Sequence, residues 1–367
     1  MPSELFTLAA DLVAIDSRSF VSNRAVADRI ERALAGFDIE RLDYLDDALV
    51  PKRALVAHRG GTGGMAFSGH MDTVPDTGWS ENPWSGRIDG DYLHGLGSTD
   101  MKGPLAACII AARGLPASVP ITLLITTDEE TTKAGARIIA ARSDLVRRAQ
   151  PAAILVAEPT RLRPVRGHRA HIAFTATATG VQAHSSTGQG RNANWELPEF
   201  LAEMKAIYLR LRADPALQDA DYDPPFGDFN LTIDNHGAAV NVTVPRATIR
   251  IKFRYSAKVD PTVIVETVRN AAARANLALA EAREGLPPEL PATHPLIQLC
   301  AAHTNQAPIT APYGTDASEL QAISPCVVLG PGDIADAHKP QEKLRLADLE
   351  AAVPLFARLA ERVAAGF

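Results

Sequence analysis

The sequence predicts an α/β fold: a mainly parallel mixed sheet flanked by helices, interrupted by an inserted ferredoxin-like α+β domain. Three observations carry this. Short, mainly apolar runs at residues 121–126, 153–157 and 326–329 alternate with helical stretches, as in parallel sheets covered on both faces. The middle of the chain alternates apolar with polar or small residues instead, the pattern of half-exposed antiparallel strands. Those middle segments also follow the order strand, helix, strand, strand, helix, strand, which is that of a ferredoxin-like unit.

Taken in order, Ser3 is a good N-cap, and Leu5, Leu8, Leu12 and Ile15 recur at helical spacing behind it. A second helix starts after Ser22 or Asn23, carries Val26, Ile30, Ala33 and Leu34 on one side, and stops at Gly36, where a left-handed cap costs little. Residues 54–58 read as a strand, 60–64 as a glycine-rich turn, and 65–68 as the returning strand of a hairpin. Helices follow at 104–114, ahead of the apolar strand 121–126, and at 134–141, between that strand and 153–157. The alternating middle supplies strands at 171–179, 230–234, 247–255 and 277–282, with helices at 194–211 and 261–275. An inserted domain over 164–288 results, with 1–163 and 289–367 forming the other domain. Prolines at Pro164, Pro287, Pro288 and Pro291 punctuate both joints.

Composition narrows the function. The 367 residues are 46% hydrophobic and 22% charged, enough for two cores, and the net charge of -6 offers no dense basic surface for nucleic acid or anionic lipid. Cys108, Cys300 and Cys326 are widely spaced, so neither a disulfide framework nor a thiolate zinc site is indicated. The N-terminus lacks the pattern of a signal peptide, and no apolar run is long enough to cross a bilayer, so a cytoplasmic protein is expected.

Chemistry is concentrated where apolar strands run directly into His, Asp or Glu. His70 and Asp72 follow one strand, Asp128, Glu129 and Glu130 a second, Glu158 a third, and Asp333 leads on to His338 after a fourth. In open α/β sheets ligands bind outside the carboxyl ends of the strands, so these side chains are expected to converge. Imidazoles with several carboxylates and no thiolate suit zinc, cobalt or manganese, and five ligands with one bridging carboxylate serve two ions more readily than one. His70 and Asp72 point the same way in an extended segment, which lets Asp72 hold the second ring nitrogen of His70. Glu129 and Glu130, as neighbours, face opposite ways, so one can bind metal while the other acts as a general base. Asp100 lies in a glycine-rich loop, Gly95-Leu-Gly-Ser-Thr-Asp100-Met-Lys-Gly103, that feeds a helix. Dinucleotide, P-loop and serine-hydrolase motifs are absent.

Seven segments now resemble, in order, the M20 family of zinc peptidases and amidohydrolases, and within it the acetylornithine deacetylase group. They are residues 68–75, 95–103, 127–131, 157–160, 183–186, 314–318 and 330–333, with His338 beyond. The resemblance implies two ions, zinc or cobalt, bridged by Asp100, one also bound by His70 and Glu158, the other by Glu130 and His338. It implies Glu129 as base, and an inserted domain acting as a lid that mediates a homodimer. His184 of that lid would help polarise the scissile carbonyl from the partner subunit, while Asn241, Arg254, Gly314 and Thr315 would contact substrate. The implied reaction is hydrolysis of an N-acyl amino acid, N-acetylornithine foremost, with succinyl-diaminopimelate, acetylcitrulline and dipeptides as alternatives and a non-catalytic metal-binding homologue as the rival class. Arg169-Ala-His171 and Arg191-Asn-Ala-Asn194 depart from the family pattern, both in the lid.

Overall fold

The computed structural model describes residues 3–366. The chain divides into two compact units: residues 1–167, 288–310 and 315–367 form the first, and 168–287 with 311–314 the second. The four-residue piece 311–314 had no counterpart in the expected boundaries.

The first unit opens with α1 (Glu4–Val13), whose N-terminus is capped by the Ser3 hydroxyl accepting from the Phe6 amide at 3.3 Å. In α2 (Arg24–Ala33) the apolar stripe Val26, Ala27, Ile30 is fully buried. The helix ends three residues before Gly36, which does take the left-handed conformation at φ 88°. Next come β1 (Asp38–Leu45), β2 (Pro51–Arg59), β3 (Met65–His70), the short β4 (Arg87–Asp89) and β5 (Tyr92–His94), α3 (Lys102–Gly114), β6 (Ile121–Thr126), α4 (Ala134–Arg142), α5 (Asp144–Ala149), β7 (Ala153–Val156) and β8 (Val165–His168).

In the second unit β9 (Ala170–Thr179), α6 (Pro198–Ala213), β10 (Phe229–Asp234), β11 (Arg246–Tyr255), α7 (Thr262–Arg274) and β12 (Ala278–Arg283) build an antiparallel sheet in the order β10-β11-β9-β12, the ferredoxin-like arrangement. Along β9 every second side chain is buried, as the alternation required. The first unit resumes with α8 (Pro295–Thr304), β13 (Ile309–Ala311), α9 (Ala317–Leu320), β14 (Cys326–Val328), β15 (Lys343–Arg345) and α10 (Leu346–Ala364).

Among the described residues the large sheet has eight strands in the order β1-β2-β6-β3-β7-β14-β8-β13. Its centre, β6-β3-β7-β14, is parallel, and the β1-β2, β2-β6 and β14-β8 pairs are antiparallel. The expected hairpin between residues 54–58 and 65–68 does not form. β6 lies between β2 and β3, because the turn at 60–64 runs against the chain entering β6: a Cβ on Gly64 would sit 2.1 Å from the Pro120 carbonyl oxygen. The hairpin partner of β2 is β1, a strand with charged Asp38, Glu40, Arg41 and Asp43 that the apolar pattern did not reveal. Such charges are normal on an edge strand, where they discourage pairing with another chain.

The core of the first unit lies between this sheet and the helices α1, α3 and α10. Phe67 of β3 and Phe356 of α10, both fully buried, meet with ring centroids 5.5 Å apart. β3 is the strand that delivers His70, so this packing fixes the site from below. Replacing Phe67 by Ala removes a large buried ring from a close-packed interior and is expected to cost about 3–5 kcal/mol of stability. Urea unfolding of the variant beside the parent checks this.

Candidate metal centre and active site

Parallel pairing sets the site. In β3 and β6 His70 pairs with Thr126, and in β3 and β7 Ser68 pairs with Val156, so β3, β6 and β7 end side by side at one edge of the sheet. His70 closes β3, Glu129 and Glu130 follow β6 in a turn, and Glu158 stands two residues beyond β7. Asp100 reaches the same edge from the loop ahead of α3. Gly97 in that loop has φ 83°, and a Cβ there would lie 2.7 Å from Thr73, so the loop can run this close to the strand end only with glycine. A cis peptide bond joins Asp100 to Met101. His338 comes from the loop after β14, with φ 57°.

The side chains meet as follows. Asp100 Oδ1 lies 3.0 Å from His70 Nε2, and Asp100 Oδ2 lies 3.2 Å from His338 Nε2. Its two oxygens thus face two different imidazoles. His70 Nε2 is also 3.8 Å from Glu158 Oε1, and His338 Nε2 is 3.0 Å from Glu130 Oε1. Ligand atoms of His70, Glu129 and Glu158, and separately of His70, Asp100 and Glu130, fall within 4.8 Å of one another. All the residues expected to hold metal, together with Glu129 and Asp72, are therefore gathered at one site in the first unit. His184, Asn241 and Arg254 belong to the second unit. There His184 is exposed, its Nδ1 2.8 Å from the Ser186 hydroxyl, and the Asn241 carbonyl accepts from the Ser185 amide at 3.0 Å. Arg254 on β11 is paired with Asp228 at 2.6 Å. Thr315 is buried, its hydroxyl accepting from the Ala317 amide at the start of α9, and Gly314 precedes it in the second unit.

Asp72 does a different job from the one expected. The backbone carbonyl of Asp72, at 2.9 Å, is what His70 Nδ1 meets, while the carboxylate oxygen is 3.6 Å away. A backbone carbonyl fixes the ring tautomer as well as a carboxylate would. The Asp72 carboxylate is used elsewhere, accepting from the amides of Glu129 at 3.1 Å and Glu130 at 3.2 Å and from the Ser19 hydroxyl at 2.8 Å. Glu129 and Glu130 are accordingly turn residues rather than extended ones; they still differ in surroundings, since Glu130 meets His338 and Glu129 lies 3.7 Å from Lys133 Nζ.

Electrostatics show what the cluster lacks. Burial, with Asp100 beside it, pushes the Glu158 carboxyl well above the ordinary range, and burial raises Glu130 as well. Burial pushes Glu129 up to about 8 against the opposing pull of Lys133. For Asp100, burial is outweighed by hydrogen bonds from His338 and His70, which hold it well below the usual carboxylate range. His338 is raised to about 11 by its hydrogen bonds to Asp100 and Glu130. In His70, burial opposes the charged ring, but Asp100 and the surrounding carboxylates prevail and raise it. Every shift but that of Asp100 is towards the protonated form, and Asp100 is held ionised by two protonated imidazoles. Carboxylates this close cannot all stay ionised in a dry pocket without positive charge among them, and divalent cations bound by oxygen and imidazole supply that charge.

Residues that the sequence reading passed over hold the turn before Glu129. Lys52 of β2, wholly buried, lies 3.0 Å from the Asp128 carboxylate and donates to the Val21 carbonyl at 2.9 Å. Tyr44 of β1 donates to the other Asp128 oxygen at 2.7 Å, and Asp128 itself is left-handed at φ 62°. The Asp316 carboxylate, raised to about 6 by burial, accepts from the Thr126 hydroxyl at the end of β6. A lysine leading into the apolar strand at 54–58 was the one signal that could have pointed here.

Comparison with known proteins follows the same lines. The pattern described as Peptidase family M20/M25/M40 matches residues 66–362. Acetylornithine deacetylase of Proteus mirabilis is 30% identical over 363 residues, covering 95% of this chain and 92% of that protein. Acetylornithine deacetylase of Myxococcus xanthus is 31% identical over 369 residues, covering 95% and 94%. Among solved structures, the dipeptidase Dug1p of Saccharomyces cerevisiae superposes with a TM-score of 0.76 at 14% identity, covering 99% of this chain and 96% of its own. An M20 metallo-carboxypeptidase of Sulfolobus solfataricus superposes with a TM-score of 0.74 at 14% identity, each chain covered completely at 100%. The fold and the strand-end cluster define a hydrolase of the α/β class. The chain belongs to peptidase family M20/M25/M40.

Metal uptake by this cluster must displace protons. With His338 raised to about 11 by its hydrogen bonds to Asp100 and Glu130, that imidazole carries a proton near neutrality, so the affinity for a divalent ion is expected to rise with pH. The logarithm of the Co²⁺ or Zn²⁺ association constant is predicted to climb with a slope of at least about one between about pH 6 and 8. Calorimetric titration in buffers of different ionisation heat measures the protons released; a flat profile would mean that no protonated side chain of the cluster takes part in the uptake.

Proposed function

We propose that this protein hydrolyses the amide bond of an N-acyl amino acid with two divalent ions, zinc or cobalt, held by its first unit, and that N-acetylornithine is the substrate it takes. The single observation that carries the reading is Asp100, whose two oxygens face His70 on one side and His338 on the other. In this reading Asp100 is shared between the ions, His70 and Glu158 complete one set, and Glu130 and His338 the other. When bound, such ions supply Lewis acidity and bring the proton of a water within reach of a neighbouring base.

The protein's own groups would then work as follows. Glu129, buried and raised to about 8, has the affinity for a proton that a general base near neutrality needs. Its carboxylate takes a proton from the attacking water and returns it to the leaving nitrogen as the carbon-nitrogen bond breaks. Lys133, at 3.7 Å, favours the ionised form required at the start. Asp72 holds the backbone of Glu129 and Glu130 in place through their amides, and the Asp72 carbonyl orients His70. His184 is proposed to polarise the substrate carbonyl from the partner subunit of a homodimer, and Asn241, Arg254, Gly314 and Thr315 to contact the substrate. Motif position supports these assignments. Free, buried Cys108, Cys300 and Cys326 accord with a reducing, cytoplasmic setting, and no helix among the described residues is long and apolar enough to cross a membrane.

Kinetic profiling of metal-replete protein tests the substrate. N-acetylornithine is expected to give the highest kcat/KM in a panel with succinyl-diaminopimelate, acetylcitrulline and dipeptides. A different winner would reassign the substrate, and hydrolysis of none would favour a non-catalytic metal-binding role. Glu129→Gln is expected to lower kcat by about 10²–10⁴-fold while both ions remain bound. Near-normal turnover with full metal content would remove Glu129 as the base.

A further inference from the structure

Four residues beyond His338, Glu342 is buried to 2% exposure. One of its oxygens, Oε1, accepts from the amide of Thr99 at 2.8 Å and from the amide of Asp100 at 3.0 Å. The same short segment grips the Asp100 loop twice more. The Glu342 carbonyl accepts from the Gly95 amide at 3.1 Å, and the Lys343 carbonyl accepts from the Thr99 hydroxyl at 2.9 Å. Glu342 is not in either group of side chains whose ligand atoms cluster closely enough for an ion. Its bonds go to the backbone that carries one.

The consequence follows from the shortness of aspartate. Only two torsions separate the Asp100 backbone from its carboxylate, so the position of the Asp100 amide largely sets where both oxygens lie. Those oxygens must reach His70 and His338 at once, at 3.0 and 3.2 Å. A shared ligand tolerates displacement poorly, because correcting its distance to one side spoils the other. Residues 338–342 therefore bring in His338 and, one turn of chain later, the group that seats Asp100 opposite it.

We infer that Glu342 is a positioning residue that holds the backbone of Asp100 so that its carboxylate sits between His70 and His338; this rests on the two-ion reading given above. Glu342 acts as a hydrogen-bond acceptor of defined reach, and its charge is secondary. Two substitutions separate reach from charge. Glu342→Gln keeps an oxygen at the same distance and removes the charge, whereas Glu342→Asp keeps the charge and withdraws the acceptor by about 1.5 Å, one carbon-carbon bond. Glu342→Ala removes both.

The test titrates Co²⁺ into metal-free full-length parent and variants, following the visible absorption of the bound ion, and then measures kcat and KM on the substrate that the panel identifies. Glu342→Gln is expected to stay within about threefold of the parent. Glu342→Asp and Glu342→Ala are expected to bind the second ion about 10–100-fold more weakly, with an altered cobalt spectrum and a lower kcat at unchanged KM. Should Glu342→Ala fail to fold, the comparison of Gln with Asp decides by itself. Parent-like metal binding in Glu342→Asp overturns the inference while leaving the two-ion reading intact, as does an impaired Glu342→Gln beside a normal Glu342→Asp. Failure of the parent to bind two ions removes the reading, and the inference with it.

Discussion

Mutual repulsion of buried carboxylates is the constraint around which the first unit is organised. Asp100, Glu129, Glu130 and Glu158 converge at the end of a sheet, in a region where burial makes each negative charge costly. Left alone, such groups would take up protons or move apart. The structure keeps them together at the strand ends, with the backbone of Asp100, Glu129 and Glu130 held by hydrogen bonds to Glu342 and Asp72, and the imidazoles of His70 and His338 provide the only positive partners that touch Asp100 directly among the described residues. Divalent cations complete that balance in the proposed function.

Anchoring is done largely through the backbone. Asp72 accepts from the amides of Glu129 and Glu130, and Glu342 from those of Thr99 and Asp100. Lys52 and Tyr44 fix Asp128, the left-handed residue just ahead of the Glu129 turn. Placing the supports on the backbone leaves the oxygens of Asp100 and Glu130 free to face the imidazoles. It also gives several buried polar side chains a role: Asp72 and Glu342 accept from backbone amides, and Lys52 donates to backbone carbonyls.

The relation to known proteins has two different strengths. Sequence identity of 30% over 95% of the chain joins it to acetylornithine deacetylases, whereas the solved structures it resembles share only 14% identity and speak for the fold. Metal chemistry is proposed to depend on the strand-end cluster of the first unit. Substrate choice is proposed to depend on the second unit.

How much could be read in advance differs by element. Apolar runs located β6, β7 and β14, and alternation located β9, β10 and β11, because burial on two faces or one leaves a direct trace in residue type. The ends of β3, β6 and β7 carry His70, Glu129, Glu130 and Glu158, so much of the candidate site was legible, while Asp100 and His338 sit in loops and leaned more on the family resemblance. β1 was hidden by the charges of an edge strand, and the β2-β3 hairpin was wrong because strand order depends on a crossover that local pattern does not encode. The sequence alone determined which residue types stand at the ends of which strands. Only the tertiary structure decided that Asp72 serves two amides, that Lys52 reaches Asp128 and that Glu342 seats Asp100, since hydrogen bonds between segments up to 243 residues apart obey no periodicity.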